Sequence, residues 1–295
     1  MTGRQAQISV DDVDAGALQV LRRLQEAGHN AVLAGGCVRD LLLGRPPADW
    51  DIATDASPDR VSTLFERTVP VGERFGIIQV RLEVGTYEVA RFRREGPYSD
   101  GRRPDHVQPA GPRTDAERRD FTINGMFLDP EGDGLIDYVD GRRDLVAGVI
   151  RAIGDPAARF AEDGLRTLRA VRFATRLDFD IDAATWAALV AAASTIERIS
   201  GERVRDELTR IWTEGGAARG LDLLFGAGLL QRVLPEVAAM KGVEQPPEYH
   251  PEGDVWKHVR LMMEAVDALD DPSPTLAWSV LLHDIGKPPT FRAAG

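Results

Sequence analysis

Two aspartates one residue apart, Asp49 and Asp51 in "RPPADWDIATDA" (residues 45–56), sit in a short apolar run with Trp50, Ile52 and Ala53. In a strand, residues i and i+2 point to one face, so both carboxylates would lie a few ångströms apart. Like charges at that distance repel, and a divalent cation between them turns the repulsion into attraction. Hard oxygen ligands suit magnesium, which takes one or two carboxylates together with substrate phosphates. A solvent-facing strand that merely carries two acids is the competing reading. Upstream, "LAGGCVRDLLLG" (residues 33–44) offers a Gly35-Gly36 turn that lets backbone approach a ligand, followed by a short helix. The amides and positive dipole end of that helix suit phosphate, and Arg39 in its first turn is placed to fork onto an oxygen pair. Cys37 has no histidine nearby and reads as small packing rather than a nucleophile.

The elements that must position these residues alternate in the first half. "VDAGALQVLRRLQEAG" has helical apolar spacing and stops at Gly28, and "AVLAGG" reads as a buried strand into a turn. The strand carrying Asp49 and Asp51 comes next, then a helix from Pro58 to Arg67, then an antiparallel hairpin around Gly85. Residues 94–117, rich in Gly, Pro, Arg and Asp, read as a mobile loop, and "FTINGMFLD" as a further strand. From Pro156 the pattern becomes almost purely helical. The spacing therefore predicts an α+β chain: a small mixed α/β head over 1–150, a helical neck and body over 151–240, and a further helical segment over 241–295.

"LAGGCVRDLLLGRPPADWDIATDA" resembles the signature of the class II tRNA nucleotidyltransferase and bacterial poly(A) polymerase family, within the polymerase-β-like nucleotidyltransferases. "ERRDFTINGMFLDP" is similar to its second motif, with Gly125 where alanine is usual, and "DGRRDL", "EDGLRTLRAVRFATRL" and "ERVRDELTRI" resemble the later motifs in order. "YHPEGDVWKHV" and "LLHDIGKP" resemble the start of an HD-type domain. The resemblance implies a nucleotidyltransferase head and magnesium on Asp49 and Asp51. It also implies nucleotide binding by Gly35, Gly36 and Arg39, Arg119 at the triphosphate, and Asp120 and Asn124 at the ribose hydroxyls. The implied substrates are CTP, ATP and the 3′ end of tRNA. The loop from Arg94 to Arg118, with Arg102, Arg103, Arg113, Asp100, Asp105 and Glu117, would reshape the pocket between CTP and ATP, and its presence weighs against an enzyme that adds only cytidines.

Asp163, Arg166, Arg169 and Arg172 recur every three residues and form one slowly wrapping stripe if all lie on a helix. A carboxylate accepts from the exocyclic amino group of cytosine or adenine while an arginine donates to the ring nitrogen. Uracil and guanine invert that pattern and leave buried polar groups opposed. A solvated, salt-bridged helix face is the plainer reading of the stripe. His258, His283 and Asp284 have metal-ligand types in an HD-like order, though the family pattern needs one more aspartate downstream; helix packing explains them as well.

The expected activity is addition of CMP and AMP to tRNA. A bacterial poly(A) polymerase and an A-adding enzyme are the rivals; "TVPVGERFGIIQV" resembles the tRNA nucleotidyltransferase version of its strand. An HD-type phosphohydrolase and a non-catalytic RNA-binding module are the readings from other classes. The composition agrees. A net charge of −11 argues against a protein that coats nucleic acid nonspecifically, and lysine occurs only at 241, 257 and 287, leaving arginine as the main cation. One cysteine fits a reducing cytoplasm, and no apolar run approaches membrane-spanning length.

Overall fold

The computed structural model describes residues 8–72, 76–99, 101, 103–246, 248 and 250–290. Glu73 to Phe75 of the strand motif, and Asp100 and Arg102 of the arginine-rich loop, lie outside the described residues. The chain divides into two compact units. One comprises residues 1–99, 104–147 and 151–154; the other comprises 100–103, 148–150 and 155–295.

The first unit opens with α1 (Ala15–Glu26), whose start is fixed by Asp14 accepting from the amides of Gly16 and Ala17. The fully buried strand β1 (Ala31–Ala34) leads into α2 (Gly36–Leu42), then β2 (Asp51–Thr54) and α3 (Pro58–Leu64). Strands β3 (Thr68–Gly72), β4 (Ile77–Leu82) and β5 (Gly85–Arg91) follow. After them come the short pair β6 (Arg93–Glu95) and β7 (Val107–Pro109), then α4 (Pro112–Glu117). β8 (Met126–Asp129), β9 (Gly134–Asp137) and α5 (Gly141–Ala147) complete the unit. Among the described residues the main sheet runs β3-β4-β5-β2-β1-β8-β9, with β2 and β5 parallel and the other neighbours antiparallel. Val32, Ala34, Ala53, Phe92, Ala116 and Phe127 form its core, with Phe92 and Phe127 edge to face at 5.8 Å.

Three local expectations change. The strand expected to hold both aspartates begins at Asp51, and Asp49 lies in the bend before it. The ladder between β1 and β2 ends at Leu33 opposite Ile52, and at Gly35 the chain turns into α2, so nothing pairs with residues 49 and 50 there. The helix from Pro58 ends at Leu64 rather than Arg67, because β3 claims the residues from Thr68. Residues 94–117 are not a bare loop. They carry β7 and α4, and Arg93 and Glu95 of β6 face Pro109 and Val107 of β7.

The second unit is helical apart from a two-residue parallel pair, β10 (Val149–Ile150) with β11 (Asp180–Ile181). Its helices are α6 (Pro156–Glu162), α7 (Leu165–Leu177), α8 (Ala183–Ala191), α9 (Gly201–Thr213) and α10 (Ala217–Gly226). Two single-turn helices, α11 (Leu230–Val233) and α12 (Pro235–Ala238), precede α13 (Val255–Asp267), α14 (Pro274–Leu282) and α15 (Lys287–Thr290). α7 packs on α9 and α10, and α13 on α10 and α14. The buried Trp212 meets Trp278 edge to face at 6.4 Å. No helix among the described residues is long and apolar enough to cross a membrane.

Candidate active site

Gly35 is the pivot of the head site. Its φ of 75° lies in the region that favours glycine, and it caps α2. A Cβ added there would come within 2.7 Å of Arg119 Nη1, so glycine lets this guanidinium lie against the backbone turn. Arg119 is held from behind. Its Nε and Nη2 donate to Asp115 Oδ2 at 3.3 and 3.1 Å, and Nη1 donates to the carbonyl of Asn124 at 3.3 Å. The ring of Phe127 lies 5.1 Å below the guanidinium carbon.

Asp115 is buried two residues before the "ERRDF" segment, and its Oδ1 also accepts from the Arg93 amide and from Arg118 Nε at 2.9 Å. Arg118 reaches on to Glu95 at 2.9 Å, where Arg93 and the Tyr98 hydroxyl also donate. Although burial opposes ionisation of Asp115, the guanidiniums of Arg118 and Arg119 hold its carboxyl below the usual range. The same balance, burial against Arg118 with help from Tyr98 and Arg93, keeps Glu95 low.

Asp120 and Asn124 are buried together, with Asn124 Nδ2 donating to Asp120 Oδ1 at 3.1 Å. Arg39 departs from its expected role. Its guanidinium is buried and donates to Asn124 Oδ1 at 2.6 Å and Asp40 Oδ1 at 2.8 Å, so it braces Asn124 instead of opening toward a ligand. Cys37 packs as expected: burial pushes its thiol up to about 11, far from a reactive thiolate.

The acids behave differently. β2 and β5 run parallel with Asp51 opposite Glu88, which adds a third carboxylate beside Asp49 and Asp51. None of these three side chains has a hydrogen-bond or ion-pair partner among the described residues. Asp51 opens onto solvent at one side, yet the protein around its carboxyl removes enough water to push it up to about 6. Glu88 and Asp49 push the same way and Arg119 opposes them. Three neighbouring carboxylates, with no cation bonded to them among the described residues, are a donor set that fits a hard divalent ion. Glu88 was not singled out in the sequence. The one local signal was an acid inside a strand, as at Asp51.

In the helical unit the expected stripe is broken. Asp163 is not on α7; it lies in the turn between α6 and α7, with Oδ1 accepting from the Leu165 amide at 3.0 Å. Glycine at 164 ends the run of helical geometry that the three-residue spacing assumed. Arg203 Nη2 from α9 donates to Asp163 Oδ2 at 2.8 Å, a partner 40 residues away that spacing alone does not show. Arg166 bonds the Arg159 carbonyl at 3.1 Å and pairs with Glu162. Arg169 lies over Phe173 at 5.3 Å. Arg172 is buried against Glu207 at 2.7 Å, and burial lowers its guanidinium to about 10; it joins α7 to α9 instead of offering a charge to phosphate.

His258 lies on α13, and His283 and Asp284 follow α14, with ligand atoms all within 4.8 Å of one another. Asp284 already has a cation, Lys287 Nζ at 2.7 Å. The fit of this trio to an added metal is therefore poorer than its order in the sequence implies.

Residues 31–151 match the poly A polymerase head domain, and residues 178–241 match the probable RNA and SrmB-binding site of polymerase A. The chain is 46% identical over 218 residues to the CCA-adding enzyme of Bacillus subtilis (strain 168), covering 74% of this chain and 55% of that protein. It thus spans little more than half the length of that relative. The crystal structure of the Bacillus stearothermophilus CCA-adding enzyme in complex with CTP superposes with a TM-score of 0.73 at 33% identity, over 92% of this chain and 62% of the other. A tRNA nucleotidyltransferase complexed with a primer tRNA and an incoming ATP analog gives 0.68 at 27% identity, over 92% and 76%.

Proposed function

The chain belongs to the class II tRNA nucleotidyltransferase and poly(A) polymerase family, and on that premise we propose that it adds CMP and AMP, without a template, to the 3′ end of tRNA. The observation that carries the reading is the trio Asp49, Asp51 and Glu88, without bonded partners among the described residues, in the same unit as a fixed arginine against a glycine turn. Asp49, Asp51 and Glu88 would hold magnesium, which when bound lowers the pKa of the attacking hydroxyl and neutralises charge developing on the phosphates. Arg119 takes the triphosphate, held at a fixed angle by Asp115 so that little rotamer freedom remains to be lost on binding. Asp120 and Asn124 take the ribose hydroxyls, with Arg39 fixing the amide of Asn124. Gly35 and Gly36 leave room for the nucleotide against the backbone.

Base choice falls to Asp163 and Arg166. Asp163 is pinned by Arg203 and the Leu165 amide, so its carboxylate has little freedom to turn when it meets a base. A carboxylate favours an amino group over a carbonyl oxygen, which selects cytosine and adenine. Arg169 stays a phosphate contact in this reading, while Arg172 is assigned to joining the two helices.

The test uses tRNA lacking its last three nucleotides, incubated with Mg²⁺ and each NTP separately. Two cytidines from CTP alone, one adenosine from ATP only after them, and no incorporation of UTP or GTP is the expected pattern. Long adenosine tails would replace the reading with a poly(A) polymerase, and adenosine added only to a supplied CC end would replace it with an A-adding enzyme.

A further inference from the structure

The open face of the head sheet holds cations as well as acids. Along a strand the faces alternate, and residues paired across neighbouring strands share a face. Ile78, Val80, Tyr87 and Val89 are buried on one side, where the Tyr87 hydroxyl donates to Asp14 at the start of α1. Gln79, Arg81, Thr86 and Glu88 therefore share the other side, and Asp51 joins them through its parallel pairing with Glu88. Arg81 stands diagonally across from Glu88, a placement that sets residues about 7–8 Å apart. Next to it, the Arg81 amide donates to the Arg67 carbonyl at 2.9 Å, where the β3–β4 ladder begins, so Arg67 lies beside Arg81. Both arginines are exposed, and neither has a bonded carboxylate among the described residues. Arg81 is steered by a neutral group instead. Its Nε and Nη2 donate to Gln79 Oε1 at 3.3 and 3.2 Å, and Gln79 stands directly opposite Glu88. The fork is thus held close to the acids without being neutralised by them.

The order of the strands gives these cations a side. From β3 through β4, β5 and β2 to β1, Arg67 and Arg81 come before Glu88 and Asp51, and Gly35 with Arg119 against it comes after them. The acids therefore lie between two cationic groups. Arg119 is the group assigned to the triphosphate, and in transfer of a phosphoryl centre the attacking and leaving oxygens stand roughly in line, on opposite sides of the phosphorus. The flank of Arg81 is the one left for the attacking strand. We infer that Arg81 and Arg67 hold the sugar–phosphate backbone of the RNA primer just behind its 3′-hydroxyl. The inference rests on the nucleotidyltransferase reading and adds to it the path by which the primer enters. Guanidinium forks match phosphodiester oxygens. Contacts to the backbone fix position and carry no base information, so the same two arginines serve a primer whose last base changes with each addition.

Binding and turnover together test it. tRNA lacking its last three nucleotides is titrated onto the wild type, Arg81→Gln and Arg67→Gln without NTP over a range of salt concentrations. KM and kcat are then measured with Mg²⁺ for CTP and for that tRNA. Each variant should lower the slope of log affinity against log salt by about 0.7, the worth of one single-strand phosphate contact. KM for tRNA should rise roughly tenfold in Arg81→Gln, as expected for loss of a charged hydrogen bond. KM for CTP, and kcat at saturating tRNA, should change by less than about twofold, which also shows that the fold is intact. The control is Arg60→Gln, the same charge change at an exposed position on α3, which packs beside α1 on the other side of the sheet. It should leave the salt slope and both KM values at the wild-type level. A rise in KM confined to CTP would give Arg81 to the triphosphate and overturn the inference. So would an unchanged salt slope in both variants, or an Arg60→Gln that behaves like Arg81→Gln, which would reduce the effect to net charge. A wild type that binds tRNA and adds no CMP takes the nucleotidyltransferase reading down and this inference with it; a wild type that adds CMP while Arg81→Gln matches it in every readout sinks this inference alone.

Discussion

The head unit contains two groups of acids with opposite surroundings. Asp115 is buried and Glu95 partly so, and both are saturated by Arg93, Arg118 and Arg119. Asp49, Asp51 and Glu88 are exposed to solvent and have no protein cation bonded to them among the described residues. The first group keeps its charge because arginine supplies the counter-ion; the second crowds charge together and leaves the counter-ion to come from outside. The same residue type thus works as scaffold in one place and as a ligand set in the other, and the presence of a bonded arginine tells them apart.

Substitutions should separate the two groups sharply. Asp51→Ala should cut nucleotide addition on the order of a thousandfold, as expected when several kcal/mol of charge stabilisation are lost. Steady-state incorporation of CMP is the measurement, and the variant should melt no lower than the wild type in chelator. Asp115→Ala should do the converse to the fold. Removing one member of a buried ion network leaves Arg118 and Arg119 uncompensated and costs about 3–5 kcal/mol, read as a lowered urea midpoint. A wild-type midpoint in Asp115→Ala would erase the contrast.

A smaller effect concerns the helical unit. Asp163→Ala should relax exclusion of UTP and GTP by roughly ten- to hundredfold in relative kcat/KM, the worth of one bidentate base contact. A uniform loss of rate for all four NTPs would assign Asp163 to positioning alone. Because Arg203 holds Asp163, Arg203→Met should shift selectivity in the same direction and by less.

The smallest effect is on pH dependence, and the two acid groups have opposite signs. Asp115 and Glu95 ionise lower in the folded chain than in the unfolded one, so their stabilisation is present above the ordinary carboxylate range and fades as pH falls through it. Asp51 ionises higher when folded, at about 6, so in chelator its contribution grows as pH falls from above 6 toward 4. Urea midpoints of the wild type and Asp51→Asn between pH 7 and pH 5 should converge, because the variant has already lost that charge. Parallel curves would contradict the assignment.

How far these groups were legible in the sequence follows from distance along the chain. The Gly35 turn, Asp49 and Asp51 lie within one short stretch, so local spacing shows them, whereas Asp115, three and four residues before Arg118 and Arg119, was not singled out because its burial comes from the fold. Glu88 joins the site only because β5 returns parallel to β2, a pairing set by the whole sheet. Asp163 and Arg203 meet across two helices, and Gly164 breaks the stripe that a three-residue repeat suggested. Arg39 and Arg172 read as open cations because their types suit phosphate; that they are buried depends on Asn124, Asp40 and Glu207, at distances the pattern does not encode.

The central claim is that Asp49, Asp51 and Glu88 are a ligand set awaiting a cation and not part of the fold's internal balance. Thermal unfolding of the wild type and Asp51→Asn, each in chelator and in millimolar Mg²⁺, tests it most directly. The account predicts that Asp51→Asn melts at or above the wild type in chelator, where one repelling charge is gone, and that Mg²⁺ raises only the wild-type midpoint. An Asp51→Asn chain that melts clearly lower in chelator, or that gains as much from Mg²⁺ as the wild type, would contradict it.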